Sequence, residues 1–488
     1  MFETAELGRT CSKQQYEARL PELRTRLLKA QALLESAKFP VIVLINGVEA
    51  VGKRETTNLL HEWLDARYLV SETYSPPTEA ERERPEYWRY FAWLPQAGRI
   101  GLFQGNWYTR PILDVVRGRI DDARFDRDLE RIQRFEQLLV DDGALFVKLW
   151  FHVSKREHRQ KLEKLERDPL TRYRVSKRDW KHHARYDEFI SASERAVRET
   201  STASAPWSLI EAADDRFRNL SAGEEILSRL ESQLSLPRLE PDHRPEPARE
   251  DPITIIDRID LSKQVSKEVY ERRIPELQKR LTLLSRKLSK QRRSAIIVFE
   301  GTDAAGKGGA IRRLVPALDA GHYRVIPIAA PNEEERAHHY LWRFYRHLPQ
   351  RGRVTIYDRS WYGRVLVERV EGYATRQEWS RAYAEINDFE RELVEDGTIL
   401  VKFYLHISAE EQLRRFQARE REPWKMHKIT SDDYRNREKR NQYERAAADM
   451  VARNSSEFAP FTLVSGEDKR HARVKVLETV CETIENQL

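Results

Sequence analysis

The segment Gly301-Thr302-Asp303-Ala304-Ala305-Gly306-Lys307-Gly308-Gly309 combines residue types that bind phosphate. A short β-branched apolar run, 294–298, precedes it, and a helical pattern starts at Ala310. Glycines let several backbone N–H groups face one point, the helix N-terminus adds partial positive charge, and Lys307 adds a full one. Strand, Gly-x-x-x-x-Gly-Lys loop and helix together predict a phosphate-binding loop (P-loop). The alternative is a glycine-rich turn that binds no ligand.

Two carboxylates and an arginine extend this chemistry. An ordinary P-loop has a Ser or Thr hydroxyl after its lysine to hold Mg²⁺, but Gly308 stands there, so the metal requires another ligand. Asp303 offers a carboxylate inside the loop. Asp358 ends a predicted strand beside the P-loop strand, which is the Walker-B position for a Mg²⁺ ligand. Arg359 follows it and can bind two phosphoryl oxygens at once.

The elements around these residues occur twice. Pro21 recurs as Pro275, an offset of 254 residues, and Gly52-Lys53 recurs at the same offset as Gly306-Lys307. Because the register holds across nearly a whole domain, the chain is a tandem duplication rather than a solenoid. We predict one domain at 1–233, a proline-rich charged linker at 234–253, and a second domain at 254–488.

Each repeat alternates strands with helices, which predicts an α/β fold. In the second repeat we predict five strands, at 294–299, 323–328, 353–357, 398–407 and 461–464. Helices are predicted from Pro275 through Leu288 with the proline in the first turn, over 333–348, and over 377–394. The result is a P-loop kinase-like three-layer domain, in which helices cover both faces of a five-stranded parallel sheet.

Basic residues are concentrated between the fourth and fifth strands, from Arg414 to Arg445. In a mononucleotide-kinase architecture a helical lid lies here. The plainer interpretation is a solvated helical face, since acidic residues are interspersed. The two interpretations are compatible, because a lid has one solvated side and one phosphate-facing side.

Composition limits the classes of protein. The 488 residues carry a formal net charge of +7, which suits an anionic substrate without requiring nucleic acid. The two cysteines, Cys11 and Cys481, are far apart, so a reducing cytoplasm is the simplest compartment. We see no signal peptide and no apolar run approaching the ~20 residues that a membrane span requires.

The motifs of the second repeat resemble those of the polyphosphate kinase 2 family. The resemblance includes the loop, the segment from Asp358 that reads Asp-Arg-Ser-Trp-Tyr-Gly-Arg, and the segment Phe416-Gln-Ala-Arg419. The doubled architecture is similar to the two-domain class, the polyphosphate:AMP phosphotransferases. The resemblance implies transfer of a phosphoryl group from inorganic polyphosphate to AMP, giving ADP, with Mg²⁺; it does not fix polymer length, AMP-over-GMP preference or direction.

The resemblance also implies roles for individual residues. Asp303 and Asp358 would hold Mg²⁺, and with Lys307 and Arg359 they would form the catalytic set. Phosphate binding would involve Gly301, Ala304, Ala305, Gly306, Lys307, Gly308, Gly309 and Arg364. Polyphosphate would lie along lid residues Arg414, Arg415, Arg419, Arg421, Lys425 and Lys428.

The first repeat departs from this pattern. Glu49 replaces the loop aspartate, Arg54-Glu55 replace two glycines, and Gln104-Gly105-Asn106 replace Asp-Arg-Ser. Bulky side chains at the glycine positions should obstruct phosphate. We therefore expect a folded but inactive domain that stands in for a partner subunit, against the alternative of a weakly active second site. A homo-oligomer of whole chains stays open.

Two other functions compete with this one. One is an ATP-using nucleoside or nucleotide kinase, which Gly308 and the long basic lid disfavour. The other is a non-enzymatic polyanion-binding or nucleic-acid-binding module. No helix-turn-helix, RNA-recognition or zinc motif is present in the sequence, and such a module would leave the acidic and basic set of the second repeat unused.

Overall fold

The computed structural model describes residues 1–236, 254–421 and 431–488, with side chains described from 434 in the last range. Within these residues the chain forms two compact units. The first unit contains residues 1–77, 89–236 and 333–339, and the second contains residues 78–88, 254–332 and 340–488. Most of the predicted linker, 234–253, lies outside the described residues.

Each unit is built on a parallel sheet of five strands. The strands of the first are β1 (Val41–Gly47), β2 (Leu69–Thr73), β3 (Ile100–Gln104), β4 (Leu145–His152) and β5 (Trp207–Glu211). Those of the second are β6 (Ala295–Gly301), β7 (Tyr323–Pro327), β8 (Val354–Asp358), β9 (Ile399–His406) and β10 (Phe461–Ser465). The order is β2-β3-β1-β4-β5 in one and β7-β8-β6-β9-β10 in the other. The same α/β sheet therefore occurs twice, as the duplication predicts.

Helices connect the strands. In the first half of the sequence they are α1 (Lys13–Ala37), α2 (Lys53–Trp63), α3 (Glu79–Arg82), α4 (Trp88–Phe91), α5 (Thr109–Val116), α6 (Asp122–Asp141), α7 (Lys155–Arg167), α8 (Lys177–Ala184), α9 (Tyr186–Thr200) and α10 (Asp215–Ser235). In the second half they are α11 (Lys267–Lys290), α12 (Lys307–Leu314), α13 (Glu333–Arg336), α14 (Trp342–Tyr345), α15 (Val367–Val370), α16 (Arg376–Glu395), α17 (Ala409–Arg421), α18 (Ser431–Glu438), α19 (Arg440–Asn454) and α20 (Lys469–Gln487). Short 3₁₀ turns lie at Phe2–Ala5, Ala66–Tyr68, Arg172–Arg174, Val315–Ala317 and Trp361–Arg364. Among the described residues, no helix is both long and apolar enough to cross a bilayer.

The central strands are buried on both faces because helices pack on each side. In β6 every residue from Ala295 to Glu300 is buried, and all eight residues of β9 are buried. Strands without a polar face are typical of parallel sheets. Their carboxyl ends meet at one edge, and the register places Phe299 of β6 opposite Asp358 of β8. The P-loop and the Walker-B position are therefore neighbours.

Two local predictions about helices were wrong. Pro275 lies two turns inside α11, because Ser266 caps the helix earlier by accepting a hydrogen bond from the backbone N–H of Val269. The predicted helix 333–348 is instead two single turns, α13 and α14. Tyr340, Trp342 and Phe344 are all buried, and their two-residue spacing does not fit one face of a helix.

A buried ion pair supports each sheet. Lys402 Nζ on β9 lies 2.6 Å from Glu390 Oε2 on α16, and both side chains are fully buried. The Glu390 carboxylate also accepts hydrogen bonds from the Trp361 indole and the Tyr362 hydroxyl. The first unit repeats this network with Lys148, Glu136, Trp107 and Tyr108. Because both units keep it, we assign these residues to the scaffold.

Candidate active site

The P-loop joins β6 to α12 and turns through left-handed backbone conformations. Ala304 has a φ of 64° and Gly306 a φ of 114°. Gly306 offers no side chain to cap α12, so the N–H groups of Lys307 and Gly308 in the first turn have no capping side chain. A Cβ built on Gly308 would meet nothing within 4 Å. The loop thus leaves space beside the helix N-terminus, as a phosphate guest requires.

Lys307 folds back over the loop. Its Nζ donates to the carbonyl oxygens of Gly301 at 2.5 Å and Thr302 at 3.3 Å. Loss of hydration lowers the pKa of Lys307, while the nearby Asp303 and Asp358 carboxylates act in the opposite direction. The lysine and both predicted metal ligands therefore lie in one cluster.

Asp303 is the centre of this cluster. Arg359 Nη2 donates to its Oδ1 at 2.9 Å, and Asn436 Nδ2 donates to its Oδ2 at 3.0 Å. Burial acts to raise the pKa of Asp303, but Lys307 and Arg359 outweigh it and hold the pKa below its ordinary value. Asp303 is therefore a carboxylate at neutral pH, and together with Asp358 it could hold a divalent cation that prefers oxygen ligands.

Arg359 has a strained backbone. Its φ is 64°, a conformation that costs a residue with a Cβ about 1–2 kcal/mol. The equivalent residue of the first unit is Gly105, whose φ of 59° carries no such cost. The second unit therefore keeps an arginine where the backbone favours glycine, which indicates that the guanidinium serves a function.

A buried glutamate beside the loop escaped the sequence analysis. Glu300 ends the buried part of β6, and its Oε1 accepts a hydrogen bond from Ser360 Oγ at 2.8 Å. Burial raises the pKa of Glu300, while Ser360 and Lys307 partly oppose the shift. In the first unit the two positions are Asn46 and Asn106, whose amides hydrogen bond to each other. Since these partners differ together, comparison of the two repeats could have found them.

The first two lid arginines have different environments. Arg414 is 67% exposed and pairs with Glu411. Arg415 is buried, and its guanidinium donates to the carbonyl oxygens of Ala304 and Gly466. The sequence predicts that Arg415 contacts polyphosphate. In the structure its guanidinium N–H groups donate to backbone carbonyl oxygens, one of which belongs to the P-loop. Arg415 therefore contacts the P-loop backbone in this structure, and its contact with polyphosphate stays a prediction.

The other predicted phosphate-binding residues are spread more widely. Arg421 is exposed at the end of α17 and Arg419 is partly buried on the same helix, whereas Lys425 and Lys428 lie outside the described residues. The Arg364 guanidinium lies 4.5 Å from the centre of the Tyr340 ring and its Nε is 3.1 Å from Glu368 Oε2. The structure therefore brings together the loop, Asp303, Asp358 and Arg359, and places Arg364 against an aromatic ring.

Asn436 connects the lid to the loop, although no sequence pattern predicts this contact. It lies on α18, and its Oδ1 is 3.3 Å from the Tyr443 hydroxyl on α19. The same hydroxyl lies 3.1 Å from Oε1 of Glu371, which is buried and also pairs with Lys439. This chain of contacts fixes the Asn436 amide against Asp303.

Comparison with known proteins identifies the family. A profile described as Polyphosphate kinase 2 matches residues 10–236 and 264–488, most of both halves. The chain belongs to the polyphosphate kinase 2 family. It is 47% identical over 489 residues to a polyphosphate:AMP phosphotransferase of Pseudomonas aeruginosa, with 99% of each chain covered.

A second curated relative and a solved structure also match along nearly the whole length. A polyphosphate:AMP phosphotransferase of Acinetobacter johnsonii is 36% identical over 470 residues, covering 94% of this chain and 95% of the relative. A crystal structure assigned to polyphosphate kinase 2 from Pseudomonas aeruginosa PA01 has a TM-score of 0.90 at 46% identity, covering 100% of this chain and 99% of the other. This chain therefore shares the doubled polyphosphate kinase 2 fold with that crystal structure.

Proposed function

We propose that the protein transfers a phosphoryl group from inorganic polyphosphate to AMP, giving ADP. The observation that carries this proposal is the cluster of Asp303, Lys307 and Arg359 around an uncapped helix N-terminus. The full-length match to relatives of that activity supports the identities of donor and acceptor. An AMP phosphate oxygen attacks the terminal phosphorus of the polymer, one P–O–P bond breaks, and the shortened polyphosphate leaves.

The residues of the second unit bind and orient the phosphates. Lys307 exchanges its backbone carbonyl partners for phosphoryl oxygens, and Arg359 contributes two parallel N–H donors from its strained position. The loop N–H groups hold the rest of the phosphate charge. Arg415 keeps the loop in place from below by its bonds to Ala304 and Gly466.

Asp303 and Asp358 fit Mg²⁺ as a cofactor, because both supply the oxygen ligands that this hard cation prefers. When bound, the ion would neutralise phosphate charge as the phosphoryl group moves. Gly308 contributes no hydroxyl ligand, which makes the loop aspartate the replacement. The protein's own contribution is to keep the Asp303 carboxylate ionised and to hold both carboxylates at the same edge of the sheet.

We assign the reaction to the second unit alone. In the first unit the Walker-B carboxylate and its arginine are replaced by Gln104 and Gly105. Glu55, at the position of Gly309, forms an ion pair with Arg174, which has the lid position of Lys428. An acidic side chain thus occupies space that the second unit leaves beside its loop.

The direct test is an assay of ADP formation from AMP with polyphosphate or ATP as donor. We expect rapid ADP formation with polyphosphate and little with ATP. A preference for ATP as donor would instead show that the protein is an ATP-using nucleoside or nucleotide kinase. Binding of polyphosphate without any ADP formation would instead support a polyanion-binding module.

Asn436→Ala should lower kcat about 10- to 100-fold, because the amide that orients Asp303 is lost. The apparent constant for Mg²⁺ should rise, while the KM for AMP should change little. Asn441→Ala is the matched control, since Asn441 is exposed at the start of α19. If both variants had wild-type kcat and Mg²⁺ dependence, Asn436 would have no positioning role.

The KM for polyphosphate should rise steeply with salt, because a polymer with about one charge per phosphate releases counterions on binding, by analogy with nucleic acid. The KM for AMP should respond weakly. Replacing both Lys425 and Lys428 by Gln should flatten the polyphosphate dependence without affecting the AMP constant. KM titrations at several ionic strengths test this, and equal slopes in wild type and the double variant would exclude these lysines from donor binding.

A further inference from the structure

Three potential metal ligands converge at the loop of the first unit. Ligand atoms of Glu49, Asp179 and His182 all lie within 4.8 Å of one another. Glu49 is in the loop after β1, at the position that Asp303 has in the second unit. Asp179 and His182 are three residues apart on α8, so their side chains lie on the same face of that helix. Two carboxylates and an imidazole in this arrangement are suitable ligands for a divalent ion.

Comparison with the second unit shows what has changed. His182 has the position of Asn436, whose amide donates a hydrogen bond to Asp303. An amide nitrogen only donates, whereas a neutral imidazole offers a nitrogen lone pair that binds metal. The first unit thus has a nitrogen ligand where the second has a hydrogen-bond donor.

A buried histidine, His158, lies beside the loop that carries Glu49. His158 is 2% exposed, and the backbone of Glu49 lies within hydrogen-bonding reach of its ring. Its Nδ1 lies 3.0 Å from Nδ1 of His183, and Glu49 is among the groups that act electrostatically on the ring. His158 therefore packs against the Glu49 side of the cluster without being one of the three ligands.

Three cations, Arg117, Arg178 and Lys53, act on the cluster, and Arg117 competes directly with a metal. Arg117 Nη2 is 3.0 Å from His182 Nε2, and because a guanidinium only donates, that nitrogen carries its lone pair towards Arg117. An ion at this nitrogen must displace Arg117. Lys53 competes less, since its Nζ donates to the carbonyl oxygens of Gly47 and Val48 and lies 4.0 Å from Glu49 Oε2.

We propose that the first unit binds one divalent transition-metal ion of the Zn²⁺ class through Glu49, Asp179 and His182. Imidazole favours Zn²⁺ or Co²⁺ over Mg²⁺, which prefers oxygen ligands alone. Zinc lies about 2.0–2.2 Å from such donors, and rotation of the Glu49 side chain, which is 46% exposed, can bring its carboxylate inward. The ion would join the degenerate loop to α8, so a structural ion replaces the catalytic one expected in the second unit.

The test is a Co²⁺ titration of the full chain carrying Asp303→Asn, which weakens the metal site expected in the second unit. Visible absorption and equilibrium dialysis should show one Co²⁺ per chain, displaced by Zn²⁺ but not by millimolar Mg²⁺. In this background His182→Ala and Glu49→Gln should each weaken Co²⁺ binding by at least about tenfold. Arg117→Gln should strengthen it, because the competing cation is gone.

Two control variants distinguish the loss of a metal ligand from a general loss of folding. His61→Ala removes another first-unit histidine, one that pairs with Ser71, and should leave the titration unchanged. Asp179→Asn keeps an oxygen that can accept the capping hydrogen bonds from Ser176, so it should weaken Co²⁺ binding without unfolding α8. The proposal is overturned if no Co²⁺ binds, if Mg²⁺ displaces it, or if His182→Ala binds as tightly as His61→Ala.

Discussion

Lys307→Ala is expected to lower kcat by about 10³-fold or more, whereas Lys53→Ala is expected to leave it within a few-fold. Each lysine donates to two carbonyl oxygens of its own loop, Gly301 and Thr302 in one case, Gly47 and Val48 in the other. The loss of these loop contacts is therefore matched between the variants. In the proposed function only Lys307 lies among the catalytic groups, so only its loss should remove about 4 kcal/mol of transition-state stabilisation.

The measurement is ADP formation from AMP and polyphosphate under saturating conditions, with thermal melts of both variants. Similar melting temperatures would show that loop stability is not the cause of the difference. Equal losses of turnover in the two folded variants would contradict the assignment of the reaction to the second unit.

Arg359→Gly should abolish most activity while leaving the fold as stable as Arg359→Ala or more so. Loss of an arginine that stabilises phosphoryl-transfer charge typically costs 10³- to 10⁵-fold in turnover. Glycine accepts the φ of 64° without the penalty that alanine carries, so the glycine variant should be more stable than the alanine variant by about 1 kcal/mol.

The loss of activity and the relief of backbone strain can be measured separately. Turnover reports the first and chemical denaturation the second, in the variants Arg359→Gly, Arg359→Ala and Arg359→Lys. All three should lose activity, because lysine lacks the planar pair of donors. Their stabilities should differ, with glycine highest. An Arg359→Gly variant that is both active and less stable than Arg359→Ala would show that the strained backbone has no relation to catalysis.

Local sequence patterns were sufficient for the architecture. Buried strands that contain Val, Ile and Phe, and a loop whose glycines precede a lysine, are signals carried within a few residues, and the offset of 254 transfers them to both halves. Positions of helix ends were less certain, because Ser266 starts α11 two turns before Pro275. A proline is a strong signal only when no earlier cap extends the helix.

Contacts between residues far apart in the chain could not be predicted from a single sequence. Asn436 and Asp303 are 133 residues apart, and Arg415 supports Ala304 from 111 residues away. A basic residue on a predicted lid gives no indication that its guanidinium is buried under the loop. The exchange of Glu300 and Ser360 for two asparagines was a usable signal, because buried polar partners must change together to stay hydrogen bonded.

The buried Lys148–Glu136 pair also bears on how the two repeats diverged after duplication. Removing either partner leaves an unpaired buried charge, at a cost of about 3–5 kcal/mol, so selection for folding alone would preserve the pair. The Walker-B positions of the first repeat, Gln104 and Gly105, carry no such buried ion pair and could drift. Restoring an arginine at position 105 is harder than losing it was, because a Cβ at Gly105 would lie 2.6 Å from the Tyr74 carbonyl oxygen. An arginine there requires a prior backbone shift, which makes the loss of the first site difficult to reverse by single substitutions.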